Sequence, residues 1–316
     1  MRFNTLTPAL LATTLVALAG CSANVIEDAA TEPFHAELNC ARLPITATQQ
    51  NDDQLLLSAN GEQFVLTQAI SASGARYVAE GEPETSLWFK GEQARLVLQG
   101  VEYPQCASSA AIIEPFRASG NEPFWSVTLE QGMLSLNRLN EGESLAEAYM
   151  AGETDGHFVT QGSDPVRLQV VNQLCQDSMS GMLYPQQVNV QVGGASLKGC
   201  GGDPARLLQG SEWVVEDING SGIIDRSRVT LNFWEDGRVN GRASCNNFMG
   251  EYQLTGEGLS ISHPVITRMA CAPSLMEQEQ RVLHNLDTLQ RFDIDDTGAL
   301  LLHSADGSLK ARLEHR

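Results

Sequence analysis

The sequence lacks the short signatures on which nucleophilic or phosphate chemistry is usually built. It has no GxSxG elbow and no SxxK pair, so no serine arrives with the neighbouring base that nucleophilic catalysis requires. The glycine pairs Gly193-Gly194 and Gly201-Gly202 are not followed by the Lys-Ser/Thr of a phosphate loop and read as turns. No CxxC occurs and the six histidines are scattered, which leaves no metal-ligand spacing and implies no cofactor. Bases are scarce as well: 20 Lys+Arg stand against 39 Asp+Glu, a formal net charge of -19. That balance argues against nucleic acid or anionic lipid as a partner and permits attraction to a basic protein. Carboxylate pairs discriminate nothing in so acidic a chain, so the expected class is binding and not an enzyme.

Long apolar runs are missing too, with one exception. LLATTLVALAG, residues 10–20, follows the basic Arg2 and is too short to span a bilayer as a helix. It ends in Leu18-Ala19-Gly20-Cys21, which resembles a bacterial lipobox. The resemblance implies a signal peptide over residues 1–20 and acylation of Cys21, palmitate included; two or three acyl chains anchor a protein stably without a transmembrane helix. Ser22, standing where an Asp would signal otherwise, implies sorting to the outer membrane on its periplasmic side. Residues 21–32 are small, polar and acidic, the composition of a tether.

What remains, about 295 residues, suits two or three domains. Apart from Cys21 there are six cysteines, and in an oxidising compartment they are expected to pair. Their placement suggests local bridges: Cys40 with Cys106, Cys175 with Cys200, and Cys245 with Cys271. The pattern is mainly β, as three small antiparallel barrels or sandwiches at 33–107, 112–205 and 206–316. In the first, LLLSANGEQFVL predicts a hairpin turning at Asn60-Gly61, and Ala94, Leu96 and Leu98 alternate with Arg95, Val97 and Gln99. In the second, Gln131-Gly132 marks another hairpin, and Trp125 is expected to be a buried aromatic in preference to a ligand platform. In the third, Ser274-Leu275-Met276-Glu277 after Pro273 predicts a capping box, opening a helix whose Leu275, Val282, Leu283, Leu286 and Leu289 share one face.

Three resemblances follow from particular motifs. GNEPFW with the CxDxMSGxxYP pattern resembles an uncharacterised domain of envelope lipoproteins and implies no function. GxxxCNxFxGxY, TRMACAP and LMEQE resemble the META domain of heat-inducible bacterial lipoproteins, which implies a β-rich fold and an envelope-stress setting. ELNC, Ser73-Gly74-Ala75-Arg76-Tyr77, Trp88-Phe89-Lys90-Gly91 and a closing cysteine resemble the MliC/PliC inhibitors of c-type lysozyme. That resemblance implies that Lys90 and Ser73 engage the two carboxyl groups of the enzyme, one a protonated acid and one ionised. An ammonium brings three donors, and a hydroxyl both donates and accepts. Gly74 and Gly91 would permit the tight tips, and Tyr77 and Trp88 would brace them.

Two features depart from that family's pattern. The interval from Ser73 to Lys90 is longer than usual, so the acidic AEGEPETS spacer is expected to make a longer hairpin; were it to stand between the tips, docking would be weakened or retuned. Phe89 precedes the lysine where Thr is usual. Between residues 33 and 106, nine carboxylates face four bases, a field that would speed association with a basic lysozyme. The competing expectation is an envelope-stress or assembly scaffold whose function lies in the middle and C-terminal units.

Overall fold

The computed structural model describes residues 33–314 except 110 and 139–141. The expected signal peptide over 1–20, Cys21 and the expected tether over 21–32 lie outside the described residues. No helix among the described residues is long and apolar enough to cross a membrane. Pro33–Arg316 forms one compact unit built on three β-structures with three separate apolar cores.

The first is a barrel. Its strands are β1 (His35–Cys40), β2 (Leu43–Asn51), β3 (Gln54–Ala59), β4 (Glu62–Ala69), β5 (Ala75–Val78), β6 (Ser86–Lys90), β7 (Gln93–Leu98), β8 (Val101–Glu102) and β9 (Cys106–Ala107). β1 to β7 pair in sequence, each antiparallel to the next. β9 pairs with both β1 and β7 and closes the sheet on itself. Period-two alternation sends Leu43, Ile45, Leu55, Leu57, Leu66, Leu87 and Leu96 to one buried core. The Cys40–Cys106 bond joins the strands at the closure. Asn60 and Gly61 both take positive φ, as the two-residue hairpin demands.

This connectivity gives the barrel two rims. One carries Phe34, the 70–74 loop and the Gly91-Glu92 turn; the other carries the turns at 41–42, 60–61 and 99–100 and the 79–85 spacer. The second rim meets the C-terminal structure, while Gln93 Nε2 at the first donates to Ile112 O of the middle structure at 3.2 Å. Arg42 N donates to Gln209 O at 2.9 Å, Ser211 Oγ donates to Arg42 O at 3.1 Å, and Tyr103 meets Trp234 edge-on at 6.2 Å.

The middle structure is a closed barrel running from Phe116–Asn121 to Ala195–Gly201, with a small hairpin held to it by Cys175–Cys200. Trp125 is 3% exposed and lies within its core, while its neighbour Phe124 faces outward. Asn121 Nδ2 donates to Asp177 Oδ2 at 2.8 Å, so the two motifs of this unit tie the hairpin to the barrel.

The C-terminal structure is an antiparallel sheet with one helix, α1 (Pro273–Asp287), packed against it. The helix opens differently from the sequence expectation. Ala272 is the N-cap, in the extended conformation that a following proline imposes, and no side chain caps the end. Pro273 takes the first helical position, where its missing N–H costs nothing, so Ser274 already lies inside the helix. Leu289 belongs to the next strand, Leu289–Ile294. The buried helix face is also less apolar than a leucine stripe suggests, because Gln278, Glu279 and Asn285 lie on it beside Val282 and Leu286.

Those polar residues are fully engaged. Glu279 accepts from Asn246 N at 2.6 Å and from Asn246 Nδ2 at 3.0 Å, while Asn246 Oδ1 accepts from Thr267 Oγ1 and Met269 N. Gln278 accepts from Ile224 N and donates to Ser227 and Ser244. The CNxF, TRMACAP and LMEQE motifs therefore form one buried network next to the Cys245–Cys271 bond.

Candidate functional site

The rim of the first barrel opposite the C-terminal structure gathers the two motif tips. β5 and β6 pair as Ala75↔Phe89, Arg76↔Trp88, Tyr77↔Leu87 and Val78↔Ser86. Antiparallel pairing brings the residues before β5 and after β6 to the same end, so Ser73 and Lys90 become neighbours although they are far apart in sequence. The acidic spacer is the turn of that hairpin and is sent to the opposite rim, about 13 Å of strand away for four paired residues. The spacer therefore does not stand between the tips, because a hairpin brings its ends together and carries its turn away.

Trp88 joins the two tips. Its indole Nε1 donates to Ser73 O at 2.8 Å, which holds the loop from outside the barrel. Lys90 Nζ sits 3.9 Å from the centroid of the same ring. Ser71 Oγ also donates to Gly74 O at 2.9 Å, closing the loop on itself. Gly74 is required here twice over: its φ is +67, and a Cβ would lie 2.0 Å from the Phe89 carbonyl oxygen. Gly91 turns the next hairpin at φ +63 with nothing near its Cβ position. Backbone contacts fix both tips, and the Ser73 and Lys90 side chains are exposed.

The inner face supports the same rim. Phe89 is half-buried and meets Phe34 edge-on at 5.4 Å and Tyr77 at 6.5 Å. The phenylalanine at the unusual position is thus part of the wall, and Tyr77 packs edge-on against it. Arg76 lies on the outer face beside Trp88 and is drawn toward the spacer, with Nη2 2.8 Å from Glu84 Oε1. Ser86 Oγ donates to the same oxygen at 2.8 Å. These hydrogen bonds, Ser86 first and then Arg76, hold the Glu84 carboxyl below its ordinary range.

Sequence reasoning missed two contributors. Glu84 reads as one more surface acid in the spacer, and only the strand register shows it clamping Arg76. Phe34, at the start of the first unit, carries no motif in the sequence, and only barrel closure lays it on Phe89. Among the described residues, no group of three or more His, Cys, Asp or Glu is placed to hold a metal ion.

Comparison with known proteins bears on this rim. No curated protein matches the chain. Two solved NMR structures are similar to it. One is 29% identical, covering 35% of this chain and 95% of its own with a TM-score of 0.31. The other, from Burkholderia xenovorans, is 24% identical, covering 35% of this chain and 87% of its own with a TM-score of 0.29. Residues 206–316 match the family model described as the META domain. Residues 39–105, which include both tips, match the model described as membrane-bound lysozyme-inhibitor of c-type lysozyme, so the chain carries an MliC domain and a META domain.

Proposed function

We propose that this chain is a lipid-anchored envelope protein that inhibits c-type lysozyme by presenting Ser73 and Lys90 to the paired carboxyl groups of the enzyme. The observation that carries the reading is the convergence of the two tips on Trp88, with the serine and lysine side chains left outward. Lys90 rests on the indole in the free protein, an exposed cation–π contact of about 0.5–1 kcal/mol. Charge-assisted hydrogen bonds to a desolvated carboxylate are roughly twice as strong as neutral ones, so leaving the indole for the cleft is favourable. The indole hydrogen bond to the Ser73 carbonyl holds the loop independently of the lysine, so the serine stays in place when Lys90 moves.

The same proposal includes acylation of Cys21, an outer-membrane location facing the periplasm, and the division into units at 33–107, 112–205 and 206–316. A net charge of -19 supports attraction to a basic enzyme. Docking of the C-terminal sheet on the opposite rim supports it further, because the C-terminal sheet leaves the tips unobstructed.

The test is inhibition of a c-type lysozyme by the purified full-length chain and its variants. Lys90→Ala is expected to cost about 2–5 kcal/mol of binding, mostly as faster dissociation, because it leaves a desolvated carboxylate unpaired. Ser73→Ala is expected to cost less, about 1–3 kcal/mol. No inhibition by the wild-type chain would end the reading; full inhibition by Lys90→Ala would overturn the mechanism.

A further inference from the structure

The loop that carries Ser73 also carries a side chain with no role in the fold. Ile70 is 102% exposed, more than any other large hydrophobic residue among those described. Single exposed apolar residues are ordinary on protein surfaces and need no explanation. Ile70 differs in its setting. It stands three positions before Ser73 in a loop otherwise made of Ser71, Ala72 and Gly74, none of them large. The Ser71–Gly74 and Trp88–Ser73 hydrogen bonds hold that loop. Its β-branched side chain is stiff at χ1, so little rotamer freedom is lost when it is covered.

We propose that Ile70 is an apolar anchor of the inhibitory surface, seated against the apolar wall of a c-type lysozyme cleft while Ser73 and Lys90 engage the carboxyl groups. The inference rests on the inhibitor reading above. It commits to that occupant because of the chemistry of the enzyme. A glycosidase acid that stays protonated near neutral pH does so by sitting against apolar surface, as the general acid of lysozyme does. An inhibitor that covers such a carboxyl must therefore meet apolar surface next to it. Lysine and serine satisfy the carboxyl pair, and Ile70 is the large apolar group exposed in the same loop. The three groups divide the cleft by chemistry: ammonium to the ionised carboxylate, hydroxyl to its neighbour, and isoleucine to the wall that keeps the acid neutral.

The test uses the full-length chain and a c-type lysozyme, with Ile70→Ser, Ile70→Val and the wild type compared at low and high salt, alongside thermal melts. Ile70→Ser is expected to weaken inhibition on the order of 10-fold through faster dissociation, since covering an apolar side chain is worth that much after the costs of association. The loss should be the same at both salt concentrations, the melting temperature should not move, and Ile70→Val should retain most of the inhibition. Lys90→Ala, by contrast, should lose inhibition in a salt-dependent way. Inhibition by Ile70→Ser equal to wild type would overturn the anchor and leave the inhibitor reading standing. A lowered melting temperature would also overturn it, by making Ile70 structural. Wild-type dimerisation abolished by Ile70→Ser without change in inhibition would assign the side chain to self-association instead. Absence of wild-type inhibition would remove both readings together.

Discussion

The first barrel and the C-terminal structure each carry polar motifs and a disulfide, and the two sets of side chains end in opposite states. In the C-terminal structure, Asn246 and the α1 residues Gln278 and Glu279 are buried, at 1%, 0% and 2% exposure, and bond to one another or to neighbouring loops. In the first barrel, backbone groups and Trp88 fix the loop and turn, while the Ser73 and Lys90 side chains face solvent. A motif therefore says that residues are needed, and hydrogen-bond satisfaction says what for. Buried donors and acceptors that pair within the chain are structural, since leaving them unpaired is costly. Exposed ones on a rigid frame are available to a partner.

The comparison breaks most directly at Glu279. Glu279→Ala should destabilise the chain by about 2–5 kcal/mol, because it strands two buried donors of Asn246. Denaturant unfolding would measure that loss, and Glu279→Gln, which keeps one acceptor oxygen, should lose less. At temperatures where the variant is folded, inhibition should be unchanged; loss of inhibition in a folded Glu279→Ala would show that the two regions are not independent.

A smaller effect is expected at Gly74, where the frame and the tip meet. Gly74→Ala places a Cβ against the Phe89 carbonyl at positive φ, at a cost of about 1–3 kcal/mol. Melting temperature and inhibition should fall together here, unlike Lys90→Ala, which should move inhibition alone. A Gly74→Ala variant with wild-type stability would mean that the tight approach of the loop to β6 is not required.

The smallest effect concerns pH. The Glu84 carboxyl is lowered by Ser86 and Arg76, so its contribution is present above the ordinary carboxylate pKa and is lost as pH falls through the lowered folded value. The group is largely solvated, so the loss should be slight and should disappear in Glu84→Gln. Unfolding curves of the two proteins between neutral and strongly acid pH would show it. Identical acid profiles would mean the clamp contributes nothing.

Alternation, turn residues and cysteine placement made much of the architecture legible. Leu55 and Leu57 with Asn60-Gly61 announce a hairpin because side chains alternate faces and both turn residues tolerate positive φ. The local disulfides Cys40–Cys106, Cys175–Cys200 and Cys245–Cys271 are present as their positions suggest. The helix start is not legible in the motif alone, because a Ser-x-x-Glu spacing looks the same whether Ser274 caps the helix or lies within it. The proline before it decides the matter, by fixing Ala272 as extended.

The residues themselves therefore determined which strands form, which face of each is buried, and which two tips carry a serine and a lysine. Only the tertiary structure decided that the tips meet and that the acidic spacer does not come between them. Barrel closure and strand register are long-range pairings, and no local pattern encodes that residues before β5 and after β6 share one end. The same holds for Phe34 on Phe89, for Glu84 on Arg76, and for the exposure of Ile70. Each depends on what the rest of the chain does or does not place beside it.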